Sequence, residues 1–489
     1  VSKGGLVGNT AVYSLGSILT QLVSFLLLPL YTRILTQADY GALSVLLVVQ
    51  SIVAIFAECS LTAALFRHYH GSDDPQTKRR LTGMVLRSIL LFGGALVGSL
   101  WLASEWLGPM VIPMQDAAPL FRLAALSGAV IPVGALYLRT QQAEGRAARF
   151  VVASFVQFLA SVGATLVLVA GLRWGVRGVL VGQLAGSGVM ALFSLLRLGS
   201  SLRTRPFPHE RAMLWRFALP LVPTSLGAVL MALSDRFFLE KLHSLEVTGV
   251  YSVVDKIVVV LQSVLILPFT AAFTQYAFSR QNDPALPSDL AKVLRLYAAV
   301  GGALIVGYSL FAYELLSIAT TSTYASAFAL VVPLVVAPYS SGLIAVLATG
   351  LHLANKTRYT PALFGAAVGT NLALNSVLIA PFGAMGAALA TAASAAVNAG
   401  LYFVVVRRVY PAPYPTRVLL ATLVVLAAVS MAHLGLAPEA PRGLELGWFA
   451  SRVGLLALLC GGLFAVGAVQ RSDLRALAGA LRRVTRRAS

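Results

Sequence analysis

The chain has 489 residues, 58% of them hydrophobic and only 11% charged, with a formal net charge of +19. Globular chains carry roughly 25% charged residues, and apolar runs of about 20 residues, the length a hydrocarbon core of roughly 30 Å requires, recur along this sequence. A soluble fold is thereby excluded, and so is a nucleic-acid surface: Lys and Arg cluster in short segments between apolar runs, as topology signals and contacts to anionic lipid.

The predicted fold is an all-α polytopic membrane protein with fourteen spans. In order they are Leu6–Tyr31, Ala42–Phe66, Ser88–Trp106, Phe121–Tyr137, Phe150–Ala170 and Val179–Leu196. After a basic loop come Phe217–Phe238, Val250–Phe278, Leu294–Phe311, Ala327–Leu351, Ala362–Ala380 and Ala384–Val406, then a final pair, Val418–Leu436 and Trp448–Val469. The first run follows Lys3, is too long for a signal-peptide core and lacks a small-residue cleavage site, so it is expected to remain as a helix. Cys59 and Cys460 each lie inside an apolar run. Two distant thiols make neither a disulfide framework nor a metal site, and both are expected as small core residues.

With the amino terminus placed in the cytoplasm, about 28 of the 37 basic residues fall on that side. Lys78-Arg79-Arg80, Arg203, Arg205, Arg407-Arg408 and the tail Arg482-Arg483…Arg486-Arg487 set this orientation, and both termini are expected to be cytoplasmic.

An internal repeat is legible. Gly41-Ala42-Leu43-Ser44, after Arg33 and Asp39, recurs as Gly249-Val250-Tyr251-Ser252, after Arg236 and Glu246; Gly175-Val176-Arg177-Gly178-Val179 recurs as Gly383-Ala384-Met385-Gly386-Ala387. Both pairs are 208 positions apart. Six spans then form each half, entering from the same side, so the halves are expected to be related by a pseudo-two-fold axis with a site between them. The predicted organisation is an N-lobe (1–198), a basic cytoplasmic linker (199–216), a C-lobe (217–408), and residues 409–489 holding helices thirteen and fourteen, an appendage, plus the tail.

Polar residues inside the spans mark either a cavity or helix–helix contacts, where small hydroxyl residues are common. Asn9, Tyr13, Ser17, Thr20 and Ser24 share one face of the first helix, and Ser252, Asp255 and Gln262 share one face of the eighth. The second span, counterpart of the eighth, spaces Ser44, Ser51 and Glu58 at heptad intervals. Asp255 and Lys256 sit about a turn and a half into the eighth helix. A charge at mid-bilayer depth costs roughly 2.5–3.5 kcal/mol, so these two face helices or a wet cavity and not lipid. Adjacent residues point roughly 100° apart, so they cannot pair face to face on one helix; an interhelical ion pair and a cavity lining both remain open. Asp235 and Arg236 fall at the outer end of the seventh span, where snorkelling into headgroups is cheap. Arg33 and Arg122 have similar positions. Pro29, Pro132, Pro220, Pro223, Pro268, Pro333 and Pro338 favour kinks.

No catalytic set emerges. The six histidines form no zinc pattern, no phosphate-cradling glycine loop followed by Lys and Ser/Thr occurs, and the short loops leave no room for a folded sugar-binding region. Neither a metal nor another cofactor is expected, and the chain is read as a transporter, not an enzyme.

Lys3-Gly4-Gly5…Asn9-Thr10, Leu28-Pro29-Leu30-Tyr31-Thr32-Arg33-Ile34-Leu35 and Asp39-Tyr40-Gly41 resemble the amino terminus of Wzx-type polysaccharide flippases. Phe217-Ala218-Leu219-Pro220-Leu221-Val222-Pro223, Ser234-Asp235-Arg236-Phe237 and Gly249-Val250-Tyr251-Ser252 resemble that family's second-lobe opening. These flippases belong to the multidrug/oligosaccharidyl-lipid/polysaccharide exporter superfamily. The resemblance implies two six-helix lobes in a V, with the first and eighth helices flanking a lateral opening. It further implies an undecaprenyl-diphosphate-linked oligosaccharide as cargo, moved from the inner to the outer leaflet of a bacterial cytoplasmic membrane. The family's cavity cations map onto Arg33, Arg236, Lys256 and Arg122, and would neutralise the diphosphate. The substrate-binding candidates are then Asn9, Arg33, Arg122, Asp235, Arg236, Tyr251, Lys256 and Gln262; Asp255 and Glu58 are ion-coupling candidates. Expected partners are the lipid-linked oligosaccharide, membrane lipids, and a glycan polymerase with its chain-length regulator. A lipid II flippase, which also carries extra carboxyl-terminal helices, and a drug/cation antiporter on the same fold are the alternatives.

Overall fold

The computed structural model describes residues 27–69, 74–436 and 446–470, and among these the regular structure is helical throughout. The helices are α1 (Leu28–Ile34), α2 (Gln37–Glu58), α3 (Leu61–Tyr69), α4 (Pro75–Val111), α5 (Ala117–Ala143), α6 (Ala147–Gly171) and α7 (Gly175–Arg203). They continue as α8 (Pro208–Leu242), α9 (Leu245–Ser279), α10 (Leu286–Leu310), α11 (Ala312–Ala319), α12 (Phe328–Leu353), α13 (Tyr359–Val409), α14 (Thr416–Gly435) and α15 (Leu446–Ala465). Eleven of them are long and apolar enough to cross a membrane. The 51 residues of α13 are two helical stretches joined at Gly383, whose φ 53° and ψ −129° are non-helical, where two spans are predicted. Most of the predicted first span lies outside the described residues. The protein is a multi-pass membrane protein, and side chains such as Leu102 and Trp106 on α4 and Leu196 on α7, 87%, 72% and 73% exposed, are the faces lipid would cover.

Local chemistry explains where helices begin and bend. Thr36 and Asp39 form a capping box ahead of α2: Asp39 N–H donates to Thr36 Oγ1 at 3.1 Å and Thr36 N–H to Asp39 Oδ2 at 3.1 Å. Asp74 caps α4 by accepting from the Thr77 hydroxyl and the Gln76 and Thr77 amides, which hold its carboxyl below the usual range. Several of the predicted proline kinks sit at irregular turns. A 3₁₀ turn, Leu219–Leu221, surrounds Pro220 in α8, and a π turn, Gln262–Ile266, precedes Pro268 in α9. Cys59 caps α2 in a left-handed conformation (φ 49°), and Cys460 is exposed on α15, so the expectation of two core thiols fails for Cys460.

Both halves of the repeat use their glycines in the same way. Gly175 and Gly383 each adopt φ +53°, a backbone open to glycine at no steric cost. Three residues on, a Cβ at Gly178 would meet Leu168 C at 3.2 Å, and one at Gly386 would meet Leu378 O at 2.0 Å. The first glycine of each motif turns the chain and the second lets antiparallel helices close on each other.

The chain divides into two compact units. The first holds the described residues through Val253 together with Asn375–Ala387. Its core is built by α2, α4, α5 and α7, with α6 against α7 and α8 against α2. Residues 199–216 are folded onto this unit. Arg80 forms an ion pair with Glu210 at 3.0 Å, Arg87 donates to the carbonyls of Leu202 and Thr204, and a Cβ at Gly83 would lie 2.0 Å from Ser201 O.

The second unit holds Val254–Leu374 and the described residues from Ala388 onward. Its centre is aromatic: Phe269 stacks on Tyr297 with centroids 4.7 Å apart, Tyr297 Oη donates to Tyr339 O at 3.2 Å, and Tyr339 Oη donates to Ala298 O at 3.0 Å. The last two helices pack on it. Arg452 on α15, 1% exposed, is ion-paired with Glu314 on α11 and lies 3.8 Å over the Trp448 ring; Trp448 Nε1 donates to the same carboxylate at 3.2 Å. Arg295 on α10 donates to Ala468 O at 2.8 Å.

Candidate functional site

The polar centre of the first unit is the end of α8. Ser234, Asp235 and Arg236 are 4%, 5% and 6% exposed, so this pair does not snorkel. Arg236 Nη1 donates to Asp235 Oδ1 at 2.9 Å and to Ala232 O at 2.9 Å. Adjacent residues on one helix thus do pair here, against the rule applied to Asp255 and Lys256, because the long guanidinium arm folds back across the roughly 100° between them. Tyr251 on α9, fully buried, donates its phenol to Asp235 Oδ2, and its ring lies 5.9 Å from the Arg236 guanidinium carbon. A buried ion pair persists in an apolar bundle only when hydrogen bonds satisfy the atoms left over, and Tyr251 and Ala232 supply them here.

Asn375 on α13 completes the group, donating to Ser234 Oγ at 3.4 Å. It was missed in the sequence, although Asn371 and Asn375, four apart inside an apolar run and 1% and 0% exposed, were a legible signal. Asn371 donates to Ser394 Oγ at 3.2 Å within the second unit.

The starts of α2 and α9 hold the arrangement. A Cβ on Gly41 would lie 1.9 Å from Leu245 O, and one on Gly249 would lie 2.0 Å from Gln37 O. The missing side chains let the two backbones touch two turns before Asp255 in the sequence.

Of the other predicted residues, Asn9 lies outside the described residues. Arg33 is exposed in the last turn of α1. Arg122 is committed elsewhere: its Nε donates to Ser104 Oγ at 2.6 Å, its Nη2 lies 2.5 Å from Glu105 Oε1, and it stacks 5.3 Å from the Trp101 ring. Glu58 is half-buried at the end of α2. In the second unit Asp255, Lys256 and Gln262 are half-buried on α9, and Asp255 and Lys256 each have partners. Ser252, from the same stripe, is buried and its Oγ makes no hydrogen bond. Asp235, Arg236 and Tyr251 are thus brought together, while Arg122 has partners of its own. Among the described residues no group of His, Cys, Asp and Glu could hold a metal.

The family described as "Polysaccharide biosynthesis protein" matches residues 6–274. Among curated proteins none matches the chain. Solved structures do. One is the lipid II flippase MurJ in an inward closed conformation, with a TM-score of 0.70 and 13% identity over 96% of this chain and 99% of that one. Another is a multidrug resistance MATE family transporter in an inward-facing conformation, with a TM-score of 0.62 and 15% identity over 80% of this chain and 97% of that one. A third, a transporter of the same superfamily from Pyrococcus furiosus, gives a TM-score of 0.55 and 15% identity over 83% of this chain and 98% of that one. At these identities the likeness is one of fold.

Proposed function

The chain belongs to the polysaccharide biosynthesis protein family, and from that membership we propose that it is a flippase for undecaprenyl-diphosphate-linked oligosaccharides. It moves the repeat unit of an O-antigen, capsule or exopolysaccharide from the inner to the outer leaflet of a bacterial cytoplasmic membrane by alternating access. The family match across 6–274 carries this reading, and the buried polar group at Asp235, Arg236 and Tyr251, set in an otherwise apolar bundle, supports it. Transport, not chemistry on the glycan, is the activity.

We assign the diphosphate's charge to Arg33, Arg236 and Lys256, the cations that the resemblance implies; Arg236 meets it already paired with Asp235. A diphosphate leaving a negative cytoplasm is assisted by roughly 2.3 kcal/mol per elementary charge per 100 mV. Asp255 is the ion-coupling candidate for the return step, with Glu58 second; Asn9 and Gln262 are assigned to the sugars. Both termini are placed in the cytoplasm.

A lipid II cargo is the second reading. The match to MurJ extends over 96% of this chain, whereas the matched MATE transporter covers 80%. Proteoliposomes loaded with fluorescent undecaprenyl-diphosphate oligosaccharide, and in parallel with lipid II, decide between them. The proposal expects faster flipping of the first, reduced at least tenfold by Lys256→Ala. Normal rates with Lys256→Ala and Arg33→Ala combined would remove the diphosphate assignment.

A further inference from the structure

The first unit contains a cavity of about 590 Å³ where the end of α5, the start of α6 and the end of α7 converge. Two sides of it differ in chemistry. Arg146 and Arg149 on α6 and Arg197 on α7 supply cations, while Val152 and Phe193 supply an apolar wall. Arg146 is ion-paired with Glu144 at 2.6 Å, and Glu144 also accepts from Tyr69 Oη at 2.8 Å. Arg149 and Arg197 make no ion pair among the described residues. The cavity therefore carries two uncompensated positive charges.

A polar side chain is also left waiting. Gln141 lines the cavity, is 5% exposed, and its Oε1 makes no hydrogen bond. An amide oxygen buried without a partner is an unmet acceptor, which a bound hydroxyl satisfies once the side chain turns toward it.

The apolar wall identifies the anion those two charges would hold. Val152 is 62% and Phe193 38% exposed although both line the cavity. Their helices continue outward as apolar surface, with Phe155 and Leu159 on α6 at 52% each and Leu192 and Leu196 on α7 at 55% and 73%. The cavity opens onto a face that acyl chains cover. A free phosphate has no use for that face; a phospholipid uses both parts. The helix ends here are also the ones the Lys and Arg distribution assigns to the cytoplasmic leaflet, which carries anionic lipid.

We infer that this cavity is a binding site for an anionic phospholipid, with its phosphate on Arg149 and Arg197, its headgroup hydroxyls at Gln141 and its chains along Val152 and Phe193. The site is independent of the cargo and is a place where bilayer composition acts on the protein.

The test uses the purified full chain in detergent, titrated with dioctanoylphosphatidylglycerol, dioctanoylphosphatidylcholine and glycerol 1-phosphate, with binding read by native mass spectrometry. Phosphatidylglycerol is expected to bind the wild type in preference to both others. Arg149→Gln with Arg197→Gln should weaken it on the order of thirtyfold, at roughly 1 kcal/mol per basic residue, and Arg149→Lys with Arg197→Lys should retain it. Equal binding of phosphatidylcholine, equal binding of glycerol 1-phosphate, or unchanged binding by the Gln pair overturns the proposal. Where the double variant fails to fold, Arg149→Gln and Arg197→Gln made singly locate the site, each weakening binding about fivefold, and unchanged binding by both overturns the proposal.

Discussion

Gly41 and Gly249 lie face to face across the starts of α2 and α9, each where a methyl group would strike the opposing helix. The clashes would fall on carbonyl oxygens four residues earlier in the partner helix, Leu245 O at 1.9 Å and Gln37 O at 2.0 Å. Gln37 and Leu245 are themselves 208 positions apart. The contact is therefore isologous: each copy of the repeat presents the same two positions to the other.

That symmetry makes a quantitative demand. Gly41→Ala and Gly249→Ala should each lower stability by about 1–3 kcal/mol, since the overpacking meets backbone and not a movable side chain. The double variant should cost less than the sum, because one separation of the helices relieves both clashes. Thermal unfolding in a single detergent measures all three, and additive losses would count against a shared contact.

The Asp235–Arg236 pair should respond to single and paired changes in opposite ways. Arg236→Ala strands a buried carboxylate and is expected to cost about 3–5 kcal/mol. Asp235→Asn combined with Arg236→Gln removes both charges and should cost less than Arg236→Ala alone. Tyr251→Phe leaves Asp235 Oδ2 without its phenol donor and should cost about 1–3 kcal/mol. Unfolding temperatures of the three variants give the order.

Glycines of α13 should divide by backbone. Gly383 has φ +53° and ψ −129°, and Gly383→Ala is expected to lose about 1–3 kcal/mol. Gly365 lies in regular helix with open space where a Cβ would go, so Gly365→Ala should gain roughly 0.5–1 kcal/mol. Equal shifts in melting temperature would contradict the turn assigned to Gly383.

Two arginine pairs offer a contrast of burial. Arg452→Leu deprives Glu314 of its cation inside the second unit and should cost about 3 kcal/mol. Arg122→Leu breaks a pair whose Glu105 side chain is 75% exposed and should cost no more than about 1 kcal/mol. The same melting measurement distinguishes them, and a large loss at Arg122 would show that its pair bears more than exposure allows.

Hydrophobic periodicity and the Lys and Arg pattern were enough for the membrane fold, because lipid forces every spanning segment to satisfy its own backbone and so to announce itself as an apolar run. The repeat was equally readable: glycines needed for a positive φ or a close backbone approach have no substitute, so Gly41, Gly249, Gly175 and Gly383 stand out in the bare chain. Which charges are spent was decided only by tertiary structure. Asp235 and Arg236 looked free to snorkel, yet Tyr251 and Ala232 hold them in place; Arg452 carries no mark in the bare chain, and its partner Glu314 is 138 residues away. An ion pair depends on distances between helices, and one-dimensional spacing carries no record of those.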